Sequence, residues 1–376
     1  MQYRQIGNTG VNASILGFGC MRLPVIDGKS NQIDMDKTGE LFRHAYDQGV
    51  NYFDTAYVYH GETSEVALGQ GVRDFRDKVN IATKLPPNRS QSQDDMERFL
   101  DTQLQRLQTD HIDFYLLHAL NKNSWQRLDE LKVTDFLNRA LADGRIRHAA
   151  FSFHDDLATF KQIVAAFPWA FAQVQHNFIQ TDYQAGSEGI AYAAERGLGI
   201  VVMEPLHGGD LARENPATQP IWDAFPQRRS PVAWALRYLW SQSSVSVVLS
   251  GMSTMAQLQE NLALANDQAL CTPLSDAEKQ ALAEARAALL ARTRVPCTRC
   301  GYCMPCPHGV NIPGCFEHFN KSSVFNNPAT AKFHYGIFVG KEKDASQCRN
   351  CGRCLPLCPQ HIDIPAVLKQ VAEELA

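Results

Sequence analysis

The sequence predicts an α/β chain, a (β/α)8 barrel followed by a smaller, mainly α-helical domain. Three observations carry that expectation. Eight short β-branched or apolar runs recur through the first 250 residues, stretches with apolar residues three and four apart separate most of them, and nine of the eleven cysteines crowd between Cys297 and Cys358. A chain of 376 residues also exceeds the usual single-domain size, which suits one large domain and one small.

The strand runs are Ser14–Gly19, Val50–Asp54, Val79–Thr83, Ile112–Leu117, Ile146–Ser152, Phe171–Gln175, Gly199–Met203 and Val245–Ser250. Helical periodicity lies between them, as in the stretches beginning at Thr38 and Met96. Most spacings are about 25 to 35 residues, the length of a βα unit, and continuous apolar strands suit a parallel sheet covered by helices. Eight such units predict a TIM barrel. An open doubly wound sheet is the competitor, but the first βα turn, Gly17-Phe-Gly19-Cys-Met-Arg22, lacks the third glycine of the dinucleotide fingerprint. A helix near Met255–Asn266 should close the barrel, and Ser275-Asp-Ala-Glu278 reads as a capping box opening a last helix to about Arg292. Composition changes there, so the domains are expected at 1–293 and 294–376.

Composition excludes several function classes. The chain is 44% hydrophobic and 20% charged with net charge −4, so no basic excess points to a nucleic-acid partner. Its start has no apolar core behind a basic segment, and no run is long enough to span a bilayer. The expectation is a cytoplasmic protein, where clustered cysteines are metal ligands rather than disulfides.

A barrel places chemistry at the C-terminal ends of its strands. Asp54 ends the second predicted strand, Lys84 follows the third, His118 follows the fourth, and Tyr59 shares the loop after Asp54. Alone, each has a structural explanation as a turn, solvated or packing residue. Together they set a carboxylate, an ammonium, an imidazole and a phenol at one rim, a combination suited to protonating a carbonyl oxygen as hydride arrives. A phenol is a poor acid at neutral pH unless positive charge stabilises its anion. Lys84 would supply that charge, Asp54 would hold Lys84, and neutral His118 would orient the substrate oxygen.

The stretch Phe53-Asp54-Thr-Ala-Tyr-Val-Tyr59, the strand end Ile81-Ala-Thr-Lys84 and the run Asp113-Phe-Tyr-Leu-Leu-His118 resemble the tetrad of the aldo-keto reductase superfamily in order and spacing. The similarity covers roughly residues 1–290. It implies an oxidoreductase that binds NADPH or NADH across the strand ends and reduces a small-molecule aldehyde or ketone. It also implies cofactor contacts from Cys20, Met21 and Asp54, from Ser152 and Gln175 at the carboxamide, and from Met203 over the nicotinamide face. The loop Glu204-Pro-Leu206-His-Gly208-Gly209 resembles the pyrophosphate loop, and Gly251, Met252, Gln257, Glu260 and Asn261 fall in the adenosine-ribose segment. Phe153 stands where the family usually has asparagine. Gly251 and Gln257 replace the cations that would read a 2′-phosphate, so the choice between NADPH and NADH stays open.

The C-terminal region reads Cys297-x2-Cys300-x2-Cys303-x2-Cys306-Pro and then Cys348-x2-Cys351-x2-Cys354-x3-Cys358-Pro. Three thiolates at intervals of three wrap one cubic cluster, while the fourth, before proline, lies farther along. Cys306-Pro-His-Gly-Val-Asn-Ile-Pro313 also repeats as Cys358-Pro-Gln-His-Ile-Asp-Ile-Pro365. The resemblance is to dicluster ferredoxin domains. It implies two [4Fe-4S] clusters, one on Cys297, Cys300, Cys303 and Cys358, the other on Cys348, Cys351, Cys354 and Cys306. The first motif is one residue shorter than the usual run, and structural zinc is the alternative. Cys315, between the motifs, reads as a small buried residue. A ferredoxin-like domain leaves room for an electron-transfer protein partner. The competing function is an iron–sulfur carrier or redox-responsive interaction protein whose barrel binds nicotinamide cofactor with little turnover.

Overall fold

The computed structural model describes residues 1–376. Eight parallel strands close a barrel: β3 (Leu16–Gly19), β4 (Tyr52–Asp54), β5 (Asn80–Leu85), β6 (Ile112–Leu120), β7 (Ile146–Phe153), β8 (Phe171–Gln175), β9 (Gly199–Met203) and β10 (Val245–Ser250). Closure is direct, because β10 pairs with both β9 and β3. That excludes the open doubly wound sheet.

A hairpin of β1 (Tyr3–Gln5) and β2 (Asn12–Ser14) precedes the barrel. The run expected as one strand from Ser14 therefore divides, its first residue finishing the hairpin and Leu16–Gly19 entering the barrel. The hairpin turn plugs the barrel floor with Ile6 and Ala13, both fully buried. Gly7 is required there: its φ is +47°, and a Cβ would lie 2.4 Å from the Gly199 amide nitrogen.

Inside the barrel, the two-residue period of the strands sorts the side chains. Tyr52, Ala82, Phe114, Leu116, Ala150, Phe171, Val201, Val247 and Leu249 fill the interior. The same parity carried toward the C-terminal ends reaches Asp54, Lys84, His118, Ser152, Gln173, Gln175 and Met203. Two strands run farther than expected, so Lys84 and His118 lie within β5 and β6 instead of after them. Helices cover the outside, among them Met35–Asp47, Gln93–Leu107 and Met255–Asn266.

By packing, the chain divides into two compact units, one of residues 1–208 and 232–274, the other of 209–231 and 275–376. The second unit holds the helices Asp276–Leu290, Ile312–Val324, Pro328–Phe338 and Ile364–Leu375. The expected capping box is present: Ser275 Oγ accepts from the Glu278 amide at 3.2 Å, and Glu278 Oε2 accepts from the Ser275 amide at 2.8 Å. The long loop after β9 also belongs to this unit. Its helix Gln219–Ala224 packs on Asp276–Leu290, Trp222 is buried, and Asn215 donates to the Val324 carbonyl at 3.2 Å. No helix is long and apolar enough to cross a membrane.

Candidate active site and cysteine-lined cavities

Asp54 sits at the end of β4, in register with Gly19 of β3 and Ala82 of β5. Lys84, two residues beyond Ala82 on the same face, is completely buried, and its Nζ donates to Asp54 Oδ1 and to the Thr55 carbonyl, both at 2.6 Å. A buried ammonium persists only where such partners offset lost hydration. Burial lowers the Lys84 pKa, but Asp54 and then Tyr59 outweigh it, and the net shift is upward. Burial likewise raises the Asp54 carboxyl, opposed by Lys84. Each partner keeps the other charged.

Tyr59 follows on the short helical turn Tyr59–Glu62, with Lys84 Nζ 5.0 Å from its ring centroid. The His118 ring packs edge-on against Tyr59 at 5.7 Å between centroids. The four residues chosen from separate strand ends therefore meet in one place. Burial raises the Tyr59 phenol, and Lys84 opposes that rise without cancelling it. Burial, with Lys84 and His154 nearby, lowers His118 to about 3, so its imidazole is neutral at physiological pH.

Around this centre, Ser152 Oγ accepts from the Ala119 amide at 2.7 Å, and Gln175 donates to Gln180 at 2.5 Å. Met203 is half-buried, with Gln173 Nε2 3.9 Å from its sulfur. Glu204 has φ +53° and starts the turn that holds Leu206, Gly208 and Gly209; Gly208 ends the first unit and Gly209 opens the segment assigned to the second. Cys20 is buried, its thiol raised by burial, while Met21 is exposed. Met252 is buried, Asn261 donates to Ser250 Oγ at 2.9 Å, Gln257 Oε1 accepts from the Ser253 amide at 2.9 Å, and Glu260 is exposed.

Several participants escaped the sequence reading. Gln173 was findable, since it shares the inward parity of Gln175. Its Oε1 and Asp54 Oδ2 are buried without hydrogen-bond partners. Arg22 gave no signal, yet its Nη1 donates to the Gly208 carbonyl at 2.9 Å while its own carbonyl accepts from Ser253 Oγ at 2.6 Å, tying two loops together. Beneath Lys84, Gln103 donates to the Lys84 carbonyl at 3.1 Å and to buried Glu65 at 2.7 Å, which also accepts from Thr83.

In the second unit the cysteines line two cavities. Cys297, Cys300, Cys303 and Cys358 face one. Cys306, Cys348, Cys351 and Cys354 face the other, of about 190 Å3, with Cys303 in the wall between. Both groupings take three cysteines from one motif and the last from its repeat. The backbone repeats as well: left-handed Arg299 and Gly301 recur 51 residues later at Asn350 and Gly352, whereas left-handed Gly309 recurs 52 residues later at His361. The second motif's extra residue falls between these pairs, before Cys358. The shorter run therefore keeps the same backbone turns, around a smaller cavity of about 20 Å3. Asn311 and Asp363 then cap equivalent helices, accepting from Gly314 and Ala366.

Burial raises the Cys297, Cys303 and Cys354 thiols, Cys303 to about 11. Nowhere do three or more such side chains converge on a single-ion position. Cys315 lies outside both cavities, buried with its sulfur 3.5 Å from the Tyr335 hydroxyl, as a packing residue should.

Comparison with known proteins places these features. The aldo/keto reductase family model matches residues 15–286, and the 4Fe-4S dicluster domain model matches 296–362. An L-galactose dehydrogenase of Arabidopsis thaliana is 26% identical over 289 residues, 70% of this chain and 88% of its own length. A probable aldo-keto reductase 1 of Glycine max is 24% identical over 318 residues, 75% of this chain and 88% of its own. Among solved structures, the holo form of aldo-keto reductase AKR11C1 from Bacillus halodurans superposes with a TM-score of 0.64 at 23% identity, covering 76% of this chain and 96% of that one.

Proposed function

The chain belongs to the aldo/keto reductase family and carries a 4Fe-4S dicluster domain, and from that premise we propose that it is an NAD(P)H-dependent reductase of aldehydes or ketones holding two [4Fe-4S] clusters. It is an oxidoreductase on family grounds; the reaction, the cofactor and the cluster count are our reading. The observation that carries it is the buried Lys84–Asp54 pair beneath Tyr59, with neutral His118 beside it.

Two features suit a dinucleotide. The unpartnered Asp54 Oδ2 and Gln173 Oε1 offer acceptors for hydroxyl or amide donors. Gly208 and Gly251 leave open backbone on either side of Arg22, where a Cβ would press on the arginine at 3.3 and 3.4 Å. When bound, the nicotinamide supplies a hydride to the carbonyl carbon. Tyr59 Oη supplies the proton to the carbonyl oxygen, giving the alcohol, and recovers one from solvent. Lys84 stabilises the phenolate left behind, more strongly in this dry site than in water. Asp54 and the Thr55 carbonyl hold the ammonium on station. The neutral imidazole of His118 donates a hydrogen bond that aims the substrate oxygen at Tyr59.

The cysteine cavities suit clusters for a parallel reason. Four thiols stand around a space instead of converging on a point, which fits a multi-atom group better than a lone zinc ion. Bound iron would hold as thiolates the thiols that burial alone keeps protonated.

The test is Tyr59→Phe. It should abolish NAD(P)H-dependent reduction of a carbonyl such as 4-nitrobenzaldehyde while leaving cofactor binding, read by fluorescence, within about twofold. Unchanged turnover would remove Tyr59 as the acid.

A further inference from the structure

The two cysteine cavities differ in what surrounds them. Arg299, beside Cys300, is neutralised by Glu317 at 3.0 Å, and Glu317 also takes Lys321 at 2.8 Å. In the second motif the residue equivalent to Arg299 is uncharged Asn350, and Arg349 and Arg353, where the first motif has Thr298 and Tyr302, flank Cys351, line its cavity, are exposed, and form no ion pair. No carboxylate lines that cavity. Between residues 341 and 353 there are four cations, Lys341, Lys343, Arg349 and Arg353, against Glu342 and Asp344, a net +2 in a chain whose net charge is −4. Lys341 pairs with Asp344 at 3.2 Å, which leaves Arg349 and Arg353 as the cations lining the cavity beside a thiol at the surface, since Cys351 is exposed while Cys348, Cys354 and Cys306 are half-buried.

The patch has an apolar centre. Leu357 lines the cavity and is 51% exposed, with Leu355 beside it at 41%. Apolar side chains inside a charged rim are the anatomy of a protein interface, and rim charge governs encounter with a partner of opposite sign.

We propose that the face formed by Arg349, Cys351, Arg353 and Leu357 docks an acidic one-electron carrier protein and is the electron port of the domain. The proposal rests on the cluster reading above. The carrier loses one electron and the site behind Cys351 gains one, with no proton or group moving. Cys303 lines both cavities, so the Cys297 cavity adjoins the Cys351 cavity. The paired Arg299 leaves the other cavity without an equivalent rim.

The experiment uses the anaerobic, iron-replete full chain, an acidic flavodoxin and, as the opposite charge, cytochrome c, with binding read by calorimetry at low and high salt. Wild type should bind flavodoxin in preference to cytochrome c, and added salt should weaken it. Arg349→Glu with Arg353→Glu should weaken flavodoxin binding at least tenfold while carbonyl reduction is unchanged. Arg349→Gln with Arg353→Gln is the milder variant should charge reversal cost iron, and should weaken it severalfold. Equal binding by the variants, preference for cytochrome c, or no flavodoxin binding by iron-replete wild type overturns the proposal. Iron analysis separates those outcomes from failure of its premise: a chain that takes up no iron refutes the clusters, and this docking with them.

Discussion

Replacing Lys84 by methionine removes one side chain and exposes how much the site depends on its ion pair. Methionine keeps the stem but deletes the ammonium that donates to Asp54 Oδ1 and the Thr55 carbonyl at 2.6 Å. Asp54 is then 3% exposed with neither oxygen partnered, because Oδ2 already lacks one. Stranding a buried charge in this way costs about 3–5 kcal/mol. Adding Asp54→Asn removes the stranded charge, so the double variant should recover about half that loss or more. Protonation offers the same relief. Without Lys84 the main opposition to burial is gone and the folded pKa of Asp54 rises further above the unfolded value, so the penalty is greatest near pH 8 and shrinks toward pH 5 as the carboxyl takes a proton. Urea unfolding of wild type, both single variants and the double variant at pH 5 and pH 8 measures all of this. A Lys84→Met loss under about 1 kcal/mol at pH 8, or a double variant no more stable than the single, would refute a charged buried pair.

Two further outcomes follow from the same geometry. Iron and sulfide should each reach about eight per chain anaerobically, and Cys306→Ser or Cys358→Ser should each lower only one site, because each closes a different cavity; loss from a single shared site in both variants would contradict the crossed pairing. Folded His118 titrates at about 3 and buried His176 at about 4, both lowered first by burial. The unfolded chain therefore binds more protons between about pH 6.5 and those values, and stability should fall as pH falls through that window, less steeply in His118→Asn; identical urea midpoint slopes for variant and wild type would exclude a buried neutral imidazole.

Much of the fold is legible in the sequence, and the reasons are local. The runs Phe171–Gln175, Gly199–Met203 and Val245–Ser250 coincide with strands because buried parallel strands are apolar on both faces and turn residues bound them sharply. Strand ends were harder. Lys84 and His118 looked like loop residues because polarity usually marks a strand's end, whereas here polar side chains continue the inward parity where a barrel interior becomes a site. The β1–β2 hairpin was hidden because three-residue strands carry almost no periodicity. Arg22 could not be found, since its link to Gly208 spans 186 positions and depends on loop conformation. The cysteine groupings that line the two cavities match those the resemblance to dicluster ferredoxin domains implies, because ligand spacing is fixed by chemistry.

The segment 209–231 carries a similar lesson. It follows a barrel strand in sequence, yet Asn215 bonds the Val324 carbonyl and Asn327 donates to Asp210 at 2.9 Å, so it folds with the cysteine-bearing unit. Sequence order alone would have left it with the barrel.

The most direct test of the central claim is deuteride transfer. Anaerobic, iron-replete protein would be given NADPH or NADH deuterated at C4 together with an aldehyde or ketone, and the product alcohol examined by mass spectrometry. One deuterium on the carbinol carbon in wild type, lost with Tyr59→Phe, is the predicted result. Cofactor oxidation that bleaches the clusters while leaving the carbonyl unreduced would contradict it and favour an electron carrier.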